Sequence, residues 1–290
     1  MKSFFKETGK AIAYFAIYLL MQVVATIGVS FLFEFKLGYE AGASGKTDME
    51  NFQEIAAKAG EMTMHNMGLV LIINAILAIA IYVIIAKCRN KSFMEEASIK
   101  RISVYTVLLS FITAVGCTCF FTYGMELLPI PDGLVEGMVK GNAQLADIPV
   151  WQSIAATSII VPILEEIVFR GFVFSRLNRV MSTWIAVVIT SILFGMVHGQ
   201  LLWAVWAAVM GVVFNIVRIK TDSIIPSIIM HIANNSYSTI LSLTGTSVPG
   251  RLVVPIVIIG AVLLSVALVL ISKNADNGKK AEVEVVSVSM

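Results

Sequence analysis

Two adjacent carboxylates, Glu165 and Glu166, follow an uncharged apolar run over 150–164, and Arg170 comes four residues after the second. On a helix Glu166 and Arg170 are neighbours and can pair. Glu165 points roughly 100° away and has no evident partner nearby in sequence. Two histidines follow: Phe194 and His198 are spaced i,i+4, as are His231 and Asn235, so each pair shares one helix face. A desolvated carboxylate is a competent general base, and a histidine beside it can share a water or protonate a leaving group. A second histidine and an asparagine amide can donate to an oxyanion, an effect of about 3–4 kcal/mol in a dry site. The set therefore fits hydrolysis.

Two other uses fit the same residues. Two histidines and one glutamate form a zinc ligand set with an open fourth position, here Glu165, His198 and His231. The soluble signature H-E-x-x-H is missing. Alternatively, Glu and His serve as relay groups in a proton or ion path. The bland alternatives are carboxylates that mark the end of a membrane span and histidines that brace packed helices.

The surroundings make these residues notable. The chain has 290 residues, 58% hydrophobic and 14% charged, with mean hydropathy +0.87 and net charge +2. Soluble domains carry about 25% charged residues, so the composition is that of an integral membrane protein. No basic cluster suggests nucleic acid. The three cysteines, Cys88, Cys117 and Cys119, give neither a disulfide framework nor a Cys-based metal site. His65 falls between spans and reads as a solvated loop residue.

A span needs about 20 mainly apolar residues. Eight stretches are candidates, 11–33, 67–86, 104–124, 150–170, 183–198, 201–217, 223–243 and 252–271, the fifth and sixth being short. The first is too long for a signal peptide's apolar region of about 7–15 residues. The expected fold is all-α, a polytopic membrane bundle of about eight transmembrane helices. Sixteen of the 21 Lys and Arg fall at the termini or in the even-numbered gaps, which predicts that both termini are cytoplasmic. Gly199 permits a tight turn between spans five and six. The loop 34–66 is expected to hold a short helix capped by Asp48, and Pro129, Pro131, Asp132 and Gly133 mark a turn in the loop 125–149. The tail 274–290 reads as disordered and cytoplasmic. The organisation is thus 1–149 with spans one to three, a core over 150–243, a last span over 244–273, and the tail. No internal repeat supports a transporter built from inverted halves.

Spans one, two, three and eight have no ionisable interior residue. The intramembrane set is Glu165, Glu166, Arg170, His198 and His231, all in the second half of the chain. Such residues should face the bundle interior or a wet cavity.

Pro162-x-x-Glu165-Glu166-x-x-x-Arg170-Gly171, then Phe194-x-x-x-His198, then His231-x-x-x-Asn235, resembles the three-motif signature of the CPBP intramembrane proteases. This is the CAAX protease and bacteriocin-processing (Abi) family, which includes the Rce1-type endopeptidases. The link from Met210-Gly211 through Thr221 to Pro226 is also similar, so the resemblance covers 150–240. It implies an intramembrane endopeptidase acting on a membrane-associated protein or peptide, lipidated or not: a prenylated CaaX terminus, a leader peptide or a bacteriocin precursor. Glu165 would be the base that activates water, with His198 assisting. His231 and Asn235 would stabilise the oxyanion. Glu166 would take part directly or support the site with Arg170, Phe194 would pack beside His198, and Pro162 would loosen the helix. The family is described both as metalloproteases and as glutamate-dependent enzymes. A metal-free glutamate mechanism is the expectation, with Zn²⁺ as the alternative, in a cavity opening to the cytoplasm or the cytoplasmic half of the bilayer. The competing class is a non-enzymatic protein of the same fold, a proton-coupled transporter or an immunity or scaffold protein.

Overall fold

A computed structural model describes residues 2–44 and 49–288, and these are helical with short connections. In chain order the helices are α1 (Lys2–Ala43), α2 (Met49–His65), α3 (Met67–Cys88), α4 (Phe93–Glu96), α5 (Val104–Cys117) and α6 (Tyr123–Met125), the last two joined by a π turn at Thr118–Thr122. Then come α7 (Asp132–Ala146), α8 (Val150–Gln152), α9 (Val161–Glu166), α10 (Phe174–Leu177), α11 (Thr183–Met196), α12 (Leu201–Thr221), α13 (Ile225–Thr244) and α14 (Gly250–Val288). Each of the eight apolar stretches is helical. Among the described residues five helices are long and apolar enough to cross a membrane: α1, α3, the rod Val104–Met125, α12, and α14 over Gly250–Ala275. Of the other three stretches, α11 is short and apolar, α13 carries polar residues, and the carboxylate stretch is an interrupted rod.

That rod is the centre of the molecule. α8, α9 and α10 are joined by two π segments, Ser153–Ile160 and Ile167–Val173, into one continuous helical stretch. It packs against α1, α3, α11, α12 and α13. Every residue from Leu164 to Phe174 is buried, as expected of a helix surrounded on all sides. Pro162 explains the first π segment. A proline clashes with the carbonyl four residues back and offers no N–H, and the wider π turn moves that carbonyl aside. In keeping with this, Val161 N–H bonds to Ala156 O, five residues back.

Ionic contacts gather at one end of the bundle. Arg176 bonds to Glu96 and, at 3.1 Å, to Glu7; Arg89 reaches Glu96 at 3.1 Å; Lys10 pairs with Glu7. Beside them Asp222 takes Lys100 and, at 3.2 Å, Arg218. The start of α1, the end of α3, the end of the central rod and the end of α12 therefore share this basic end. At the other end neutral amides do the joining: Gln152 accepts from Leu69 N–H and donates to Asn66. On the outside of the bundle α1 and α14 expose Ile12, Leu20, Ile27, Ile258, Val262 and Val269. That apolar belt is what a lipid environment would cover.

Several connections differ from expectation. α1 runs on to Ala43, and α2 is a 17-residue helix packed along it. Asp48, expected as its cap, lies outside the described residues. His65 is exposed but ends α2, and its Nδ1 lies 3.6 Å from Asp147. Pro131-Asp132-Gly133 opens α7 rather than a plain loop, since an acidic residue just after a proline is also a helix-start signal. The tail, expected to be disordered, continues α14 to Val288, and its Lys279-Lys280-Ala281-Glu282 is good helix-forming sequence. Gly199 does make the turn between α11 and α12, with φ +75°.

α14 approaches the π turn of the third rod so closely that a Cβ on Gly260 would lie 2.5 Å from Phe120 N and 2.7 Å from Cys119 Cβ. Gly260→Val should therefore destabilise by about 1–3 kcal/mol, the usual cost of overpacking. Gly28→Ala, with nothing within 4 Å, should not. Thermal unfolding in detergent compares the two.

Candidate active site

Glu165 and Glu166 end α9, just before the second π segment, and both are buried. Glu166 Oε1 sits 2.9 Å from Arg170 Nη1, the i,i+4 pair expected from the sequence. The guanidinium is fully buried and lies between aromatic faces, with Cζ 4.2 Å from the Phe194 ring centroid and 5.2 Å from that of Phe214. Gly211 opposite leaves it room: a Cβ there would come 3.2 Å from Arg170 Nη2. Cation–π contact compensates a cation whose Nε and Nη2 have no hydrogen-bond acceptor among the described residues.

The same Glu166 Oε1 lies 2.9 Å from His231 Nδ1. An ionised carboxylate only accepts, so this ring nitrogen carries the hydrogen. The other nitrogen, Nε2, faces Glu165 Oε2 at 3.6 Å. Glu165 also accepts a hydrogen bond from Tyr18 Oη of α1 at 3.2 Å. A polar chain thus runs Arg170–Glu166–His231–Glu165–Tyr18 through the bundle. Both partners of Glu165 come from helices distant in sequence, so no local spacing reveals them.

Phe194 fixes the remaining members. Its ring is 4.8 Å from that of His198, 5.6 Å from that of His231 and 5.2 Å from that of Phe169. Phe194 lies about 16 Å along α11 from Thr183, and His231 about 12 Å along α13 from Ser223. These depths differ by less than one helical turn, so Phe194 stands level with His231, and its ring touches those of both histidines. His198 follows α11 in the turn before Gly199, and its Nδ1 is 2.7 Å from Phe194 O. A carbonyl only accepts, so Nδ1 is the donor, and in the neutral ring Nε2 keeps a lone pair.

Asn235 Nδ2 donates to Thr157 O at 2.9 Å. Thr157 is five residues before Pro162, the position whose carbonyl a π-turn N–H would take. Proline has none, so the carbonyl is left for Asn235. The proline of the first motif and the asparagine of the third are linked through one backbone oxygen. Asn234, not singled out in the sequence, is also buried and accepts from Thr118 at 3.0 Å.

Glu165, Phe194, His198, His231 and Asn235 line one cavity of about 390 Å³, and Glu166 lies outside its lining. Tyr18 and Glu166 touch the site from behind. The cavity runs toward the end of the bundle away from the ionic network, past Thr157 and Ser153 on the rod, Thr239 and Ser242 on α13, and Trp203 on α12. The sequence placed the opening at the basic end; the structure places it at the opposite one. A separate cavity of about 300 Å³ at the basic end, lined by Glu95, Arg218 and Asp222 among others, shares no residue with it. The expected zinc donors were Glu165, His198 and His231. Among the described residues no three His, Cys, Asp or Glu side chains are grouped to hold a metal ion; Glu165 and His231 are adjacent, and His231 Nδ1 is already taken by Glu166.

Removing one member of a buried ion pair leaves a charge without compensation, at a cost of about 3–5 kcal/mol. Arg170→Met should lower stability by that order, and Arg170→Met combined with Glu166→Gln should recover most of the loss. Urea or thermal unfolding of the two variants measures it.

Residues 147–237 match the family model described as type II CAAX prenyl endopeptidase Rce1-like. Over 238 residues, 78% of this chain and 86% of the relative, the sequence is 28% identical to the candidate membrane peptidase YdiL of Bacillus subtilis (strain 168). Over 92 residues, 30% of this chain and 37% of the relative, it is 33% identical to the membrane-embedded CAAX protease MroQ of Staphylococcus aureus (strain USA300). No solved structure matches the chain at a significant level. The chain is thus a multi-pass membrane protein whose segment 147–237, which holds every side chain of the polar chain above except that of Tyr18, carries the Rce1-like type II CAAX prenyl endopeptidase signature.

Proposed function

We propose that the protein is an intramembrane endopeptidase that hydrolyses a peptide bond of a membrane-associated protein or peptide with a water activated by Glu165. The observation that carries this is the convergence of Glu165, His198, His231 and Asn235 on one cavity. The Rce1-like match and the protease names of the relatives support it. In this reading the eight apolar helices all cross the bilayer, both termini lie on the cytoplasmic side, and 150–243 is the catalytic core.

The roles divide by hydrogen-bond chemistry. Glu165 accepts the proton of the water as the hydroxide adds to the carbonyl carbon. His198, with its Nε2 lone pair, accepts from the same water and holds it in line. His231 donates through Nδ1 to Glu166, and its Nε2 is a donor only in the imidazolium form. It then faces the oxyanion together with the free N–H of Asn235, as donors that need no reorganisation. Glu165 returns its proton to the leaving amine as the tetrahedral intermediate collapses. Tyr18 orients the carboxylate of Glu165, and Arg170 holds Glu166 in place. Trp206, Met210 and Phe214 exclude bulk water from the inner wall. A zinc ion held by Glu165, His198 and His231 is the competing mechanism and would supply a polarised water, though these three are not grouped to hold a metal among the described residues. A transporter reading needs a path to both faces, and the two cavities have no lining residue in common.

Glu165→Gln keeps shape and removes basicity. Its cleavage rate on a membrane peptide, with purified protein in detergent, should fall about 10²–10⁴-fold, and a chelator should leave the wild-type rate unchanged. Full activity in Glu165→Gln refutes the glutamate mechanism; loss on chelation, restored by zinc, replaces it with the metal one. Pro162→Ala supplies an N–H that competes for Thr157 O and releases Asn235. The rate should drop toward the ~10²-fold loss seen when one oxyanion donor is removed, while the unfolding temperature stays level or rises.

A further inference from the structure

We infer that the cavity receives its peptide from the extracytoplasmic side, and that the substrate is an uncharged, membrane-proximal stretch of a chain displayed there rather than the free C-terminus of a cytoplasmic protein. This rests on the protease reading for the word substrate; the sidedness of the cavity stands on its own observations.

Four helices give the direction independently. On α13 the lining residues run from His231 toward Ser242, away from Ser223. On the central rod they run from Glu165 back to Ser153, away from Arg176. On α11 they fall at the end that follows Phe194, and on α12 they run from Phe214 back to Trp203, away from Arg218. Each path leaves the basic end. Between the cavity and that end stands the fully buried stretch Ile167–Val173 of the rod, packed on α1, α11 and α12. It offers no passage. The basic end collects Arg89, Lys100, Arg176 and Arg218 with their partners, and clusters of Lys and Arg beside spans stay on the cytoplasmic side. The mouth is therefore extracytoplasmic.

The lining defines what can enter. No Lys or Arg is among the described residues that line the cavity. A chain terminus brings a second carboxylate beside that of Glu165, a like-charge pair in a water-poor site with no Lys or Arg to offset it. An internal segment brings only neutral peptide groups, and Ser153, Thr157, Ser238 and Thr239 offer hydroxyls to match them along one wall. Trp203 and Trp206 form an opposite apolar wall. α7, from the loop on this side, lies against the mouth: Asn142 lines it, and a Cβ on Gly141 would lie 2.7 Å from the Trp203 ring.

Membrane-impermeant maleimide on protoplasts tests the sidedness. Cys88 is exposed at the basic end and Ser242 is exposed at the mouth. In a Cys117→Ala, Cys119→Ala background, one form keeps Cys88 and the other carries Cys88→Ser with Ser242→Cys. The Ser242→Cys form should label in intact protoplasts as fully as after permeabilisation, and the Cys88 form only after permeabilisation. The reverse pattern overturns the inference. A second arm uses a single-span reporter with a neutral segment placed next to the membrane on either side. Cleavage of the outward-facing version alone, lost in Glu165→Gln, is the expected result. Cleavage of the inward-facing version alone overturns the inference. Outside labelling with neither reporter cut refutes the protease reading and leaves the cavity's orientation in place.

Discussion

A full positive charge buried among hydrocarbon side chains is the constraint around which the core is arranged. Arg170 has no exposure, and Glu166 answers it one helical turn away. Such a pair is costly to desolvate and stable only with good geometry and further hydrogen bonds. Phe194 and Phe214 flank the guanidinium from α11 and α12, and His231 of α13 shares the oxygen of Glu166 that Arg170 holds. One ion pair thus dictates how three neighbouring helices sit against the rod. Glu165 lies one contact further out, at the wall of the cavity.

The π segments serve the same arrangement. A regular α-helix would carry Pro162 only with a kink or a broken bond. Widening the turn keeps the rod continuous and leaves Thr157 O without a backbone donor. That vacancy is filled by Asn235. π turns recur at functional sites for this reason: they expose backbone groups that a uniform helix would consume. Here the exposed group orients an amide rather than binding a ligand directly.

Much of this was legible in the residues. Apolar runs located eight helical stretches, five of them in helices long enough to span a bilayer, and i,i+4 spacing gave Glu166–Arg170 and Phe194–His198. The contacts that cross between helices were not legible. Tyr18 is one of several tyrosines in apolar helices, and nothing local distinguishes it; only the rule that a buried hydroxyl needs a partner points to it. Pairing of Asn235 with Thr157 depends on the register between two rods, which periodicity does not report. The side on which the cavity opens is not legible in the residues, because it depends on which neighbours fill the space along each helix. α2 and α7 escaped notice as full helices because a search for long apolar runs passes over amphipathic segments of low mean hydropathy.

Tyr18 has a consequence for how much of the chain forms a working unit. The matched segment ends where α1 has not yet been counted, yet α1 supplies the hydroxyl that caps Glu165 and, through Glu7, an anchor for the rod's far end. A fragment trimmed to the signature region would leave one oxygen of its carboxylate turned toward acyl chains. The first helix backs the candidate site from behind, so a fragment that keeps the polar chain whole includes α1 and not the matched segment alone.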